Sequence, residues 1–185
     1  EAGDNQIRNS AIATLASWMS SRPEMAAALN QELLQAINSS NNVEVRGNAL
    51  QVLALHLPQL PDNFTSAAAD YLKTDPSPFN RAMAARALGE ANDQMKEFAL
   101  QQLEQSYSSE ESLETKRAIL SAIVRAGTTN STTILQRLPA SAPLAEDVTE
   151  YLNILQGGVI DRDEIQRQKS VRHAEKESPA VVEKH

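Results

Sequence analysis

The chain has 185 residues, a formal net charge of −7 and no cysteine, and residues 158–185 hold as many basic as acidic residues. The absence of cysteine excludes disulfides and thiol catalysis, and no apolar run approaches the roughly 20 residues that a membrane-spanning helix needs. Nucleic acid is disfavoured as a partner, because residues 1–157 carry the negative charge where a nucleic-acid-binding protein presents a basic stripe.

The chain opens with a predicted helical hairpin. Apolar residues at helical spacing, Trp18 among them, predict a first helix over about residues 5–20. Ser21 and Glu24 match a capping box, which predicts a second helix that extends to about residue 38. Because Trp18 lies on the apolar stripe, we expect its ring to pack between helices and not to stack on a ligand.

Two further hairpins follow. The second is predicted to open at the cap residue Asn41, and two prolines separate its first helix from a partner helix over about residues 62–73. The third is predicted to begin at Ser77, an N-cap, with Pro78 at the first helical position. Its second helix is predicted over about residues 94–106.

A fourth hairpin and a last helix complete the predicted array. Ser108 and Glu111 match a capping box at the start of a long helix, and Gly127 is suited to the left-handed position just after its end. A short helix is predicted over about residues 131–138. The last helix, over about residues 143–156, has no arginine in register, so we expect it to be the capping unit that solenoids require.

The composition changes after two consecutive glycines. Residues 161–177 are dense in interspersed charges and have few apolar residues, so a helix there would lack an apolar stripe for docking. The sequence therefore predicts two parts. One is a solenoid over residues 1–157, and the other is a charged, flexible or partly helical tail over residues 158–185.

An arginine recurs near the start of each predicted first helix, followed by similar small and apolar residues. The steps between these arginines are 38, 35 and 36 residues, a period that is typical of stacked helical hairpins. We expect each arginine to lay its methylene stem over the core and to bind a neighbouring carboxylate or helix end. Direct contact with a partner is the alternative. The four are Arg8, Arg46, Arg81 and Arg117.

The unit resembles the HEAT-repeat family. An early arginine is followed by alanine three residues later, an aliphatic residue at the fourth and leucine or valine at the seventh, and the units of Arg46 and Arg81 match best. Asn80 and Lys116 stand where the family usually has an aliphatic residue. The resemblance implies an all-α, right-handed α-α superhelix of about four hairpins plus a capping helix, with the second helices lining the concave surface.

The resemblance implies a non-catalytic scaffold that binds a protein or peptide along the concave surface. Polar residues of the second helices would face that groove, and their carboxylates and amides favour a polar or basic partner. The alternatives are a HEAT-like enzyme, a nucleic-acid-binding module or a structural spacer within a larger protein. The expected binding residues are Glu32, Gln35, Asp70, Lys73, Glu97, Gln101, Glu104 and Gln105.

No catalytic residue, metal site or cofactor is predicted. His56 has no other histidine or cysteine in residues 1–157 with which to form a catalytic dyad. His173 and Glu177 are four residues apart, but two ligands on a charged tail make a poor metal site. The adjacent carboxylates at 110–111 and at 146–147 do not face one another, and we expect them in first turns, where the helix dipole favours them.

The start of the chain leaves two alternatives open. Glu1 stands in place of a methionine, which fits either removal of a signal peptide or excision from a longer protein. The lack of cysteine and the abundance of glutamine, asparagine and serine favour an extracytoplasmic bacterial protein.

Overall fold

The structure is a computed structural model. It describes residues 42–56, 60–139 and 143–157, together with a few helical residues between 10 and 38. The side chain of His56 lies outside this description. The named helices are α1 (Val43–His56), α2 (Asp62–Thr74), α3 (Pro78–Leu88), α4 (Lys96–Ser109), α5 (Leu113–Ala126), α6 (Thr129–Arg137) and α7 (Leu144–Gln156).

The described helices alternate between two layers. In the layer of first helices, α3 packs against both α1 and α5, and α5 packs against α7. In the layer of second helices, α2 packs against α4. Helix α2 also packs on α3, α4 packs on α3 and α5, and α6 packs on α5 and α7. The helices therefore stack as successive hairpins, which confirms the prediction of an all-α solenoid.

The core lies between the two layers, and α3 is its centre. Four alanines of α3, at positions 82, 84, 85 and 87, are fully buried, and their small side chains allow α1 and α5 to approach closely on either side. Larger apolar side chains fill the space towards the second helices. Those without exposed surface include Leu50, Leu53, Phe64, Leu88, Leu103, Ile123 and Leu135.

Local sequence signals place two of the helix ends correctly. Ser77 caps α3 by accepting a hydrogen bond from the backbone N–H of Asn80, with Pro78 at the first helical position. Gly127 follows α5 with φ 63° and ψ 34°, in the left-handed region that favours glycine. Both ends match the sequence-based prediction.

Several other boundaries differ from the prediction, including the start of α6 at Thr129. Ser108 lies in the last turn of α4, and α5 begins later, with Ser112 as its cap. Asn42 rather than Asn41 caps α1, because its side-chain oxygen accepts the first free backbone N–H groups. Helix α4 starts two residues later than predicted, because Asn92 folds the preceding segment into a turn by accepting two backbone N–H groups.

Within the described residues, no helix is long and apolar enough to cross a membrane.

Several predictions fall on residues outside the described part of the chain. The predictions concerned are those for Arg8, Trp18, Glu32, His173, Glu177 and the tail over residues 158–185.

Candidate functional site

Three of the recurring arginines form ion pairs at one edge of the solenoid. Each binds a carboxylate that lies 29 or 30 residues further along the chain, after the second helix of its own repeat. We call this series the arginine ladder. Its pairs are Arg46 with Asp75 (2.9 Å), Arg81 with Glu110 (2.7 Å) and Arg117 with Asp147 (3.0 Å).

Asp75 connects two successive steps of the ladder. Its side chain is fully buried at the end of α2, and one carboxylate oxygen accepts hydrogen bonds from both Arg46 and Asn80. The guanidinium group of Arg81 donates to its backbone carbonyl at 2.9 Å. Because a buried charge needs such partners, Asp75 holds the junction between the second and third hairpins together.

Glu110 is the most heavily hydrogen-bonded carboxylate of the ladder. Arg81 donates to both of its oxygens, and the backbone N–H groups of Glu111 and Ser112 donate to one of them. The hydrogen bond from Arg81, more than the two backbone donors, holds the pKa of Glu110 below its ordinary value. Glu110 caps the C-terminal end of α4. The prediction that Glu110 lies in a first helical turn is wrong for this reason.

A second series of hydrogen bonds joins the first turns of neighbouring first helices. The side-chain amide of Asn80 donates to the carbonyl of Val43 at 2.9 Å, and the hydroxyl of Thr115 donates to the carbonyl of Pro78 at 3.0 Å. Gly47 makes room for this contact, because a Cβ atom there would collide with the Oδ1 atom of Asn80. The side chain of Asn80 therefore fits against α1 because Gly47 has no side chain.

Two tyrosines 36 residues apart donate to backbone carbonyls outside their own repeat. The hydroxyl of Tyr71 donates to Ile37 at 2.9 Å, and that of Tyr107 donates to Pro139 at 3.5 Å. Burial is the main cause that raises the pKa of each tyrosine. Both rings therefore serve as contacts between repeats.

The expected binding residues divide into two groups. The first group is exposed on the second helices: Asp70 lies on α2, and Gln101 and Gln105 lie on α4. Gln35 is exposed as well, and it lies among the helical residues before α1.

The second group connects neighbouring second helices. Lys73 of α2 donates to Gln102 of α4. The amide of Asn130 donates to Glu97 at 2.7 Å, and Arg137 binds both carboxylate oxygens of Glu104. These contacts give Lys73, Glu97 and Glu104 a role between helices, whichever partner the surface binds.

A model of HEAT repeats matches residues 30–124, which include α1 to α4 and most of α5. The chain belongs to the HEAT-repeat family. No curated protein and no solved structure matches it. HEAT repeats are generally protein-interaction scaffolds, and the family is typically non-enzymatic.

A polar pocket of about 270 Å³ lies between the ends of α2 and α4 of this HEAT solenoid. The Oγ atom of Ser106, at its wall, is buried and has no hydrogen-bond partner among the described residues. The other lining residues are Leu72, Lys73, Arg81, Ser109, Glu110 and Glu111. Within the described residues, no group of three histidine, aspartate or glutamate side chains could hold a metal ion.

The carboxylates of the arginine ladder are absent from the set of site residues that the sequence predicts. The offset of 29 or 30 residues is visible in the sequence: it identifies Asp75 for Arg46 and leaves two adjacent carboxylates each for Arg81 and Arg117. The pair of Arg125 with Glu90, which joins α5 to the end of α3 at 3.0 Å, has a different offset. No regular spacing points to it.

Proposed function

We propose that this HEAT solenoid is a non-catalytic scaffold that binds a polar or basic protein or peptide along its second helices. The observation that carries the proposal is the difference in burial between the two layers. Seven of the eleven residues of α3 are buried, against five of the thirteen residues of α2. Helices α3 and α5 are thus packed more deeply than α2, α4 and α6, which keep a solvated face.

The chemistry of that face supports a polar or basic partner. Glu97, Gln101 and Gln105 follow one another at four-residue intervals on α4, so they share one side of the helix, and all three are exposed. Asp70 adds an exposed carboxylate on α2. Carboxylates accept hydrogen bonds from lysine and arginine, and glutamine side chains can both donate to and accept from a peptide backbone.

Two arginines of the ladder, Arg46 and Arg81, leave little basic surface to oppose such a partner. The side chains of Arg46 and Arg81 are only 11% and 19% exposed and are bound to carboxylates.

Exposed charges are screened over about 8–10 Å at ordinary ionic strength. We therefore expect binding to weaken markedly as salt is added.

The experiment compares two variants with the same change in net charge. Asp70→Lys with Gln101→Lys alters the second-helix face, and Gln51→Lys with Glu114→Lys alters exposed positions on first helices. Partners captured from the native source are identified by mass spectrometry, and the retention of the main partner is measured for both variants. We expect the second-helix variant to bind at least about tenfold more weakly, as removal of complementary charge predicts. Equal retention by both variants would contradict the proposal.

A further inference from the structure

The pocket between the ends of α2 and α4 has in its wall a hydrogen-bonding group that the described fold does not use. The Oγ atom of Ser106 binds no described residue, and the residue is only 6% exposed. Buried polar groups are nearly always hydrogen-bonded in folded proteins. Serine has three staggered side-chain rotamers, so this hydroxyl can turn towards a group that enters the pocket.

The ladder pair in the pocket wall has little bonding capacity left. Glu110 accepts two hydrogen bonds from Arg81 and one from each backbone N–H group of Glu111 and Ser112, and a carboxylate has about four acceptor sites. Arg81 also donates to the backbone carbonyl of Asp75. Arg81 and Glu110 therefore form a fixed wall, and a ligand must bind to other groups.

The groups that remain come from two sides of the pocket. Lys73, near the end of α2, donates one hydrogen bond to Gln102, and an ammonium group has three N–H donors. On the other side, α4 contributes the hydroxyls of Ser106 and Ser109, and the exposed carboxylate of Glu111 follows it. The pocket thus offers donors from α2 and acceptors from the end of α4.

The charges and the size of the pocket restrict its occupant. Lys73 and Arg81 are balanced by Glu110 and Glu111, so the formal charges of the wall sum to zero. A charged group that entered would lose hydration without meeting a surplus of opposite charge. The volume of about 270 Å³ lies below the roughly 300–1,000 Å³ of pockets for drug-sized ligands. A single neutral, polar side chain is therefore the best fit.

We propose that this pocket binds a glutamine side chain of the partner protein. A carboxamide carries an acceptor oxygen and a separate NH₂ donor, so it can contact both sides of the pocket. Its oxygen accepts from Lys73, and its NH₂ group donates to Ser106 and Glu111. Leu72 provides an apolar wall for the methylene groups. The proposal rests on the proposed function, because the glutamine belongs to the same polar partner.

The test uses the full chain and a small probe, N-acetyl-glutamine N-methylamide. Its binding is followed through the backbone amide shifts of the ¹⁵N-labelled protein by NMR. We expect saturable shifts in the last turns of α2 and α4, with a Kd on the order of 1 mM, as is usual for so small a ligand. The glutamate and methionine analogues of the probe have nearly the same shape, and both should bind at least about tenfold more weakly.

Chain variants link the binding to the pocket. Ser106→Ala should weaken binding of the probe about fivefold, as the loss of one neutral hydrogen bond predicts. Ser108→Ala, at an exposed position in the same turn but outside the pocket wall, should leave it unchanged. Removal of an unpartnered hydroxyl should stabilise the fold, so weaker binding by Ser106→Ala would not result from unfolding. Glu111→Ala, at an exposed position, replaces Ser106→Ala if the latter is less stable, and it should also weaken binding.

The probe separates this proposal from the proposed function. The Asp70→Lys, Gln101→Lys variant should bind the probe as the wild type does, because neither residue lines the pocket. Failure to retain the native partner can therefore be told from failure of the pocket to bind glutamine.

Three results would overturn the proposal. The first is the absence of saturable shifts, or equal binding of the probe and its two analogues. The second is tighter binding of the glutamate analogue, because the pocket would then be an anion site at Lys73. The third is unchanged binding by a folded Ser106→Ala protein.

Discussion

Single carboxylates hold the arginine ladder in place, and Glu110 shows how this makes stability depend on pH. The pKa of Glu110 is lowered from its ordinary value of 4.5, chiefly by Arg81. The folded protein therefore binds the proton more weakly than the unfolded chain does. The stabilisation is complete above about pH 4.5 and is lost as the pH falls through the folded pKa.

The corresponding prediction concerns Glu110→Gln. At neutral pH this change should lower the free energy of unfolding by roughly 1–3 kcal/mol, because it leaves the buried Arg81 contact without its charge partner. As the pH decreases below 4.5, the unfolding free energy of the Glu110→Gln variant should fall less steeply than that of the wild type. Denaturant titrations at several pH values measure both effects. Glu111→Gln, at an exposed neighbour, is the control, and identical behaviour of the two variants would contradict the role of Glu110.

Ser106 gives a prediction of opposite sign. Its buried hydroxyl has no hydrogen-bond partner in the described part of the chain, and a hydroxyl buried without a partner costs roughly 1–3 kcal/mol of stability. Ser106→Ala should therefore raise the melting temperature, helped by the better helix propensity of alanine. Ser109→Ala, which removes a hydroxyl that donates to the Ser106 carbonyl at 3.3 Å, should not. Lower stability of Ser106→Ala in a thermal melt would show that the hydroxyl does make a contact.

Contacts between whole helices depend on pairs of residues that fit each other. Gly47 lies inside α1, where alanine is ordinarily better by about 1 kcal/mol. Here an added Cβ would meet Asn80 and, at 3.2 Å, the ring of Phe79. Gly47→Ala should instead destabilise the protein by about 1–3 kcal/mol, because α3 would be pushed away from α1.

A double-mutant cycle with Asn80→Ala tests this explanation. If the new Cβ atom at position 47 collides with the side chain of Asn80, Gly47→Ala should lower the free energy of unfolding by about 1 kcal/mol less in the Asn80→Ala background than in the wild type. The measurement is the free energy of unfolding of the four proteins. Additive effects of the two substitutions would place the strain elsewhere.

These elements show what the sequence can and cannot predict. Signals that act within a few residues, such as Ser77 with Pro78 or the glycine at 127, place helix ends correctly. They fail where two local signals compete, since the capping-box pattern of Ser108 and Glu111 falls on the end of α4. Pairs such as Gly47 with Asn80 join residues 33 apart and need the packed helices to be recognised.

At the scale of the whole molecule, α3 and α5 form the most deeply packed layer, and α2, α4 and α6 offer a solvated face. The repeat period and its arginines predict this architecture, because each hairpin buries its apolar side against its neighbours. The sequence does not show that Lys73, Glu97 and Glu104 bind across to neighbouring second helices. A binding test that alters those three would also disturb the packing of α4 and α6.

The central claim is that stability and binding belong to different residues, and one crossed measurement tests it. Arg81→Ala should lower the free energy of unfolding by roughly 1–3 kcal/mol and leave retention of the captured partner unchanged, because Arg81 acts between repeats. Asp70→Lys with Gln101→Lys should do the reverse, with retention reduced at least about tenfold and unfolding unchanged. Loss of binding in a stable Arg81→Ala protein, or equal retention by both proteins, would contradict the account.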